Sequence, residues 1–448
     1  MKFFRDNPII GVALLLHLIV PFFSYGYFHP DEQFYGIEFM MLKLGTLDQL
    51  TFPWEYNAQI RPFSLPFLLF WIGKALGTTD VFILSDILRL ISSLLGLFSL
   101  LFFVQTWKKR FPISKSLEWV LYLAWPLIFM HTRTNSENWS TSFYLIGISL
   151  MFSKRKNLMS GVILGLSFFL RFQIGFLILP IYWFRRRELK DLSWITVGIF
   201  ISCALMVTVD FWGYGEWTLT PYNYFMVNLV QDKVSHFGIS PWWYYLYKGL
   251  VKLLPFWGIL ILSSIVWGFK TRSKEFKEIL IWILPFLLVH TFIGHKELRF
   301  IYPILPFLMI LVVRFIRPKW QKILFWGNII AFPILFMPQP KRLIIYKYLY
   351  KSKEISTVYW THEVNPLREK SFIRKDLISK SFKHYAGEKS FYVMTPNYTE
   401  YRDLSKKFSC EIAKEIYPSW IRYFNIGGWV ERSSVWVLGY CSPKLKSL

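Results

Sequence analysis

The sequence predicts an all-α polytopic membrane protein of about eleven transmembrane helices, followed by a small extracytoplasmic α/β domain. Three observations predict it. Of 448 residues, 54% are hydrophobic and 20% aromatic. With a mean hydropathy of +0.34, that is too apolar for a soluble enzyme. Apolar runs of roughly 18 to 25 residues recur between short polar loops, the length a helix needs to cross a bilayer. From about Gln339 the chain turns polar and basic. There Phe391-Tyr392-Val393-Met394 and Ser434-Val435-Trp436-Val437-Leu438 alternate like strands. The expected division is a transmembrane domain over 1–338 and a tail domain over 339–448.

The first span covers residues 8–28. Met1 to Asn7 before an apolar run resembles a signal peptide. Pro21-Phe22-Phe23-Ser24-Tyr25-Gly26-Tyr27 has no small-x-small cleavage site, so the helix is expected to be retained. A long loop, 29–80, follows. Its semi-apolar pieces, Tyr35 to Leu44 and Pro62 to Leu76, are expected on the membrane surface or dipping into it. Further spans fall near 81–105, 117–131, 139–153, 157–170, 173–184, 192–211, 249–269, 278–294, 299–316 and 321–338. Lys108-Lys109-Arg110, Lys154-Arg155-Lys156, Arg185-Arg186-Arg187, Lys270 to Lys277 and Arg314 to Lys322 occupy alternate loops. Positive loops stay cytoplasmic. Loops 29–80, 131–138, the turn near Arg171, 212–248 and 294–298 then face outward, and so does the tail.

The formal charge of +24, from 52 Lys+Arg against 28 Asp+Glu, lies largely in those short loops. It implies anionic membrane lipids as partners rather than nucleic acid, for which no separate basic, base-stacking domain is present. With three cysteines, no zinc site or disulfide framework is implied. Cys203 sits in an apolar run, whereas Cys410 and Cys441 are able to pair if the tail meets an oxidising compartment.

Every polar cluster falls on the outer side. Asp31 and Glu32, in His29-Pro30-Asp31-Glu32-Gln33-Phe34, begin a helical stretch and suit an N-cap. A cap needs one carboxylate, however, and a pair beside lipid and water suits a general base for a hydroxyl nucleophile. His295-Lys296-Glu297-Leu298-Arg299-Phe300 places three basic residues at the outer start of a span. With Lys296 and Arg299 on one helix face, they would bind a lipid-linked phosphate or serve as an interfacial anchor. Arg171, at the break between two short apolar runs, lines a cavity or pairs with an internal carboxylate. Arg133, Asn135 and Glu137 in one loop, and Asn223 and Trp242 in another, supply the amides, charges and rings that recognise sugars. The alternative for the tryptophans is an aromatic belt.

Taken together, these motifs resemble a known family. His29-Pro30-Asp31-Glu32, Arg133-Thr134-Asn135 with Glu137, Asp210 with Tyr214-Gly215, Pro221-Tyr222-Asn223 with Asn228, and His295-Lys296-Glu297 with Arg299-Phe300 occur in the order seen in Alg9-like mannosyltransferases. These form glycosyltransferase family 22, and the branch that adds the third mannose of GPI anchors is the nearest pattern. The resemblance implies a GT-C fold. It also implies inverting transfer of a hexose, typically mannose, from a polyprenyl- or dolichyl-phosphate sugar to a glycolipid or lipid-linked glycan acceptor. Mapped here, Asp31 is the base, assisted by Glu32, while Lys296, Arg299, His295 and Arg171 neutralise the lipid phosphate. His29, Arg133, Asn135, Glu137, Asn223 and Trp242 would contact sugar and acceptor. No cofactor beyond the lipid-phosphate sugar is expected and a metal-free site is preferred, the alternative being a metal-assisted transferase with a site formed by His29, Asp31, Glu32 and His295. The Lys- and Phe-rich composition points to a bacterial inner membrane, with an ER membrane as the eukaryotic counterpart. The alternative class is an ion-coupled transporter or lipid flippase coupled through Asp31 and Glu32. Such proteins place ionisable groups near the bilayer midplane and often carry repeated halves, and no repeat is visible here.

Overall fold

The computed structural model describes residues 7–24, 26–47, 53–153, 156–253, 255–337, 342–367, 370–387, 390–417, 423, 425–428, 430 and 435–444. The chain divides into two compact units, Met1–Thr79 with Asp86–Phe336, and Asp80–Ser85 with Met337–Leu448.

The first unit is helical. Each apolar run read as a span contains helix, but among the described residues three helices are long and apolar enough to cross a membrane by length and composition: Val81–Lys108, Leu189–Tyr214 and Leu298–Phe315. Shorter apolar helices include Pro8–Phe23, Ser64–Leu76 and Asn157–Leu170. Two expected spans are broken. Residues 117–131 form Glu118–Tyr122 and Trp125–His131, and residues 249–269 fall across Tyr244–Lys252 and Pro255–Thr271. Each second helix starts at or one residue before a proline, which lacks the N–H a continuing helix needs and fits a first turn.

Glycines set the closest helix approach. A Cβ on Gly161 would lie 2.1 Å from the Ile195 carbonyl oxygen, and one on Gly198 would lie 2.3 Å from that of Leu158. Small residues here let Asn157–Leu170 pack backbone to backbone on Leu189–Tyr214, a device suited to lipid. The core around Trp107, Trp257, Trp282 and Phe307 is sealed by aromatic contacts, Trp282 stacking on Phe307 with centroids 6.2 Å apart.

The outer loop departs from its expected surface position. Glu32–Glu38 is a π-helix that runs into the α-helix Phe39–Lys43, and Gln33, Tyr35, Ile37, Glu38, Phe39 and Met40 are all buried. Tertiary contacts draw it in. Phe39 stacks on Phe63 at 5.1 Å, and the Tyr35 hydroxyl donates to the Pro62 carbonyl at 2.6 Å. The Asp210 carboxylate accepts from the Phe63 amide at 2.7 Å and from the Thr220 hydroxyl at 2.6 Å. One buried carboxylate thus ties the first outer loop to the loop that follows Leu189–Tyr214.

The second unit holds a five-stranded sheet of order β2-β1-β3-β5-β4, with β1 Thr357–Trp360, β2 Ile378–Ser381, β3 Phe391–Thr395, β4 Phe408–Glu415 and β5 Val437–Pro443. β1 runs parallel to β2 and β3, while β5 is antiparallel to β3 and β4. The alternation over 391–394 falls in β3. That over 434–438 reaches β5 only from Val437, and Ser434 lies outside the described residues. Cys410 and Cys441 face each other on β4 and β5 and form a disulfide. Asn397 caps the helix Tyr398–Lys407 by accepting from the Glu400 amide at 2.8 Å.

Candidate active site

The two adjacent acids of the first outer loop have separate jobs. Glu32, not Asp31, closes the helix start: its Oε1 accepts from the Phe28 amide at 2.7 Å and the His29 amide at 3.1 Å. Asp31 makes no cap. Its Oδ2 accepts instead from Arg299 Nη2 at 3.0 Å and Arg61 Nη2 at 3.2 Å, and its Oδ1 lies 3.2 Å from His29 Nδ1. The Asp31–Arg299 contact bridges 268 positions of sequence.

Arg299 is the hub. Its side chain is 4% exposed and its donors reach three carboxylates: Asp31, Glu297 at 2.7 Å and Glu137 at 2.7 Å. Glu137 also receives Arg171 Nη1 at 3.1 Å. Glu297 meets His295 at 3.1 Å and His29 at 3.2 Å, and Arg61 is shared with Glu55 at 2.7 Å. Four carboxylates and three guanidiniums are thus paired in a mostly buried cluster, with His29 and His295 against the surplus negative charge. Such pairing is required there, because an unpaired charge in a low-dielectric site is very costly.

The environment drives the two acids apart. Burial alone would raise Asp31, but the Arg299 and then the Arg61 guanidinium, with His29, hold its carboxyl well below the usual range. Burial also dominates at Glu32 and there prevails over Arg133 and the two backbone amides, so this carboxyl is pushed up. Glu297 is drawn down to about 2: Arg299 and its hydrogen bond, with His29 and His295, outweigh burial. Neighbouring carboxyls with opposite shifts are the arrangement from which acid and base roles are assigned.

Beside the cluster lies a small cleft lined by Tyr35, Arg61, Ser136, Arg171, Gln173 and Tyr224. It shares Phe172, Gln173 and Tyr224 with a larger cavity of about 280 Å³, walled by Phe168, Phe176, Phe225 and Phe300 and reached by His290 and His295. Arg171 Nε is buried with no partner among the described residues. A charged donor left over at a polar cleft is suited to an anion.

The predicted residues sort into three groups. Asp31, Glu32, His29, Glu137, Arg171, His295 and Arg299 share one network of hydrogen bonds and charge contacts. Lys296 does not: its ammonium donates to the carbonyls of Ile293 at 2.6 Å and Ser240 at 2.9 Å. The expected shared helix face with Arg299 is absent because Glu297 is extended (φ −128°, ψ 143°) and the helical turn begins only at Leu298. Arg133 is fully buried and donates to the Ser24 carbonyl at 3.1 Å. Asn135 caps Ser136–Phe152 through the Asn138 amide at 2.8 Å. Asn223 binds the Thr218 hydroxyl at 3.0 Å, and Trp242 is 71% exposed with no ring contact among the described residues. These four shape or border the site rather than enter its ion-pair network. Arg61, Glu55, Gln173 and His290 escaped the sequence reading. For Arg61 and His290 the available signal was a lone polar residue in an apolar setting, Ile60-Arg61-Pro62 and Val289-His290.

The chain combines a helical unit with a small sheet unit, and a carboxylate near its start is held by a distant arginine. The fold superposes on the crystal structure of ArnT from Cupriavidus metallidurans bound to undecaprenyl phosphate. The TM-score is 0.60 over 99% of this chain and 98% of that one, at 11% identity. The apo form of the same protein gives a TM-score of 0.53, covering 98% of each chain.

The chain belongs to the Alg9-like mannosyltransferase family, whose profile matches residues 9–351. It is similar to GPI alpha-1,2-mannosyltransferase 3 of Bos taurus, 28% identical over 305 residues, which are 63% of this chain and 54% of that protein. The Homo sapiens enzyme of that name is 27% identical over 63% of this chain and 52% of its own length. GPI mannosyltransferase 3 of Drosophila melanogaster is 25% identical over 69% and 56%. The chain thus spans about half the length of the curated relatives it matches.

Proposed function

We propose that this chain is an inverting hexosyltransferase. It moves mannose from a polyprenyl-phosphate donor to a glycolipid or lipid-linked glycan acceptor at the extracytoplasmic membrane face. One observation carries the reading: the Asp31 carboxylate and the Arg299 guanidinium, from opposite ends of the helical unit, meet at 3.0 Å beside a cleft with a spare arginine donor on Arg171. A base and a cationic site that close are what displacement at a sugar phosphate requires. The lipid named in the ArnT structure supports a polyprenyl phosphate as the leaving group, and the names of the relatives support mannose.

In this reading Asp31 removes the acceptor hydroxyl proton as that oxygen attacks the anomeric carbon. The anomeric C–O bond to phosphate breaks, and the electron pair leaves with the polyprenyl phosphate. Arg171 and Arg299 receive the departing charge. At rest Asp31 is a weak base, because two arginines stabilise its ionised form. A donor phosphate that draws Arg299 away removes that stabilisation and raises the basicity of Asp31, so donor binding itself readies the base. Glu32 holds the backbone of this loop in place. The scheme needs no metal. Outward placement of the tail is supported by the Cys410–Cys441 disulfide, a bond of oxidising compartments. Nothing in the site favours the transport alternative.

The test is to incubate membranes containing the protein with radiolabelled polyprenyl-phosphate mannose and profile the lipids. Label should enter a glycolipid in a manner dependent on Asp31. No transfer from this donor to any lipid fraction would overturn the reading.

A further inference from the structure

Within the larger cavity, one buried polar atom has no partner that the apolar walls are able to supply. His290 is 2% exposed, and its Nδ1 lies 2.8 Å from the Phe286 carbonyl oxygen. A carbonyl only accepts, so Nδ1 carries the hydrogen. A second hydrogen on Nε2 would make an unpaired cation among phenylalanines, which desolvation forbids. Nε2 is therefore a bare acceptor, buried and without a hydrogen-bond partner among the described residues.

The rest of the cavity matches that chemistry. Among the described residues its lining has no Asp, Glu, Lys or Arg. Asn228 Nδ2 donates to the Tyr224 carbonyl at 3.1 Å, which leaves its Oδ1 as an acceptor. Gln173 Nε2 donates to the Tyr224 hydroxyl at 2.7 Å, leaving a second amide oxygen. Asn228 lies in the π-helix Met226–Val230, a distortion found mostly where function needs it. Three acceptors between aromatic faces fit a neutral group with several hydroxyls and an apolar ring face. They do not fit an anion, which has the adjacent Arg61 and Arg171 cleft. An isoprenoid chain would suit the aromatic walls but has no hydrogen to give these acceptors. Leaving a buried acceptor unpaired weakens binding by roughly five- to a hundredfold.

We infer that this cavity receives the hexose of the donor lipid, and that His290 Nε2 accepts a hydrogen bond from one of its hydroxyls. The inference rests on the function proposed above and deepens it: the phosphate sits in the arginine cleft and the sugar next to it, across the shared Phe172, Gln173 and Tyr224. At about 280 Å³ the cavity is near the lower end of the ~300–1,000 Å³ common for ligand sites, sized for a single small group.

The experiment measures binding of a short-chain polyprenyl phosphate, with and without mannose, to the purified full chain and to His290→Leu and His290→Gln. Wild type should prefer the mannose-bearing lipid. His290→Leu should reduce that preference about five- to a hundredfold while keeping its affinity for the bare phosphate lipid, and His290→Gln, with an amide oxygen, should restore part of it. Equal weakening of both lipids in His290→Leu would assign the cavity to the prenyl tail. Unchanged affinity for both would remove it from the donor site. Either result overturns the inference while leaving the transferase reading standing. Failure of wild type to bind either lipid would instead bring down that reading, and this one with it.

Discussion

Replacing Asp31 by asparagine separates chemistry from architecture, because the structure limits what the change costs the fold. Arg299 keeps Glu137 and Glu297, each at 2.7 Å, and Arg61 keeps Glu55 at 2.7 Å, so neither guanidinium is left unpaired. Asparagine fits the space, and its carbonyl still accepts from both arginines. What is lost is the difference between hydrogen bonds to a charged and to a neutral acceptor, about 1–2 kcal/mol in all. A missing general base is worth about 10²–10⁴ in rate, or roughly 2.7–5.5 kcal/mol of barrier. Asp31→Asn should therefore melt within a few degrees of wild type in detergent, yet transfer mannose at least a hundredfold more slowly at saturating donor. Single-turnover transfer of labelled mannose, with a thermal melt on the same preparation, measures both. Retention of a tenth or more of the rate would place the base elsewhere. Loss of fold and rate together would make Asp31 a structural ion-pair partner.

Arg171→Ala should raise the donor KM roughly ten- to a hundredfold, the worth of a charge-assisted hydrogen bond, with a smaller change in kcat. Glu137 keeps Arg299, so the protein should still fold; a KM unchanged in steady-state assays would exclude Arg171 from the phosphate site. Lowering pH should weaken the cluster in a defined window. The Glu297 carboxyl is depressed to about 2 in the folded chain against about 4.3 unfolded. Its stabilisation is therefore fully present above pH 4.3 and is lost as pH falls towards 2. That is at most about 3 kcal/mol before screening, since its side chain is 26% exposed, and acid-unfolding transitions of wild type and Glu297→Gln should converge at low pH. Cys410→Ser should cost about 3–4 kcal/mol by the loop-entropy estimate for a 31-residue separation, seen as a lower melting transition that reductant reproduces in wild type. Transfer should persist in EDTA, measured by the labelled-mannose assay.

What the sequence made legible was chemistry that has no cheap alternative. Adjacent acids after an apolar run, and His-Lys-x-x-Arg before one, are too expensive at a membrane boundary to lack a purpose, so both ends of the site stood out. Runs of apolar residues marked the helices, and proline accounts for the two broken ones. The partners were not legible. Arg61 reaches Asp31 only because Asp210, 147 positions after Phe63, folds the outer loop back, and no local pattern encodes that closure. Lys296 misled for a related reason. Three-residue spacing puts side chains on one face only if the backbone is helical between them, and an extended Glu297 cancels the rule. His290 looked like any histidine in an apolar run, and its unpaired nitrogen becomes visible only when the surrounding walls are known.

On the proposed function, the same closure explains why a strongly ion-paired carboxylate would suit catalysis here. A free carboxylate at a lipid–water boundary would keep its ordinary basicity at all times and would act without regard to whether the donor is bound. Asp31 is instead held by guanidiniums that a phosphate is able to recruit, because Arg299 contacts Asp31, Glu137 and Glu297 at once and gives up one contact without losing its charge balance. In the proposed mechanism Asp31 gains basicity when the leaving group arrives and not before. The cost is a resting site stabilised at the expense of reactivity. The return is that the sugar phosphate is attacked only when the acceptor hydroxyl and the cationic cleft are both in position.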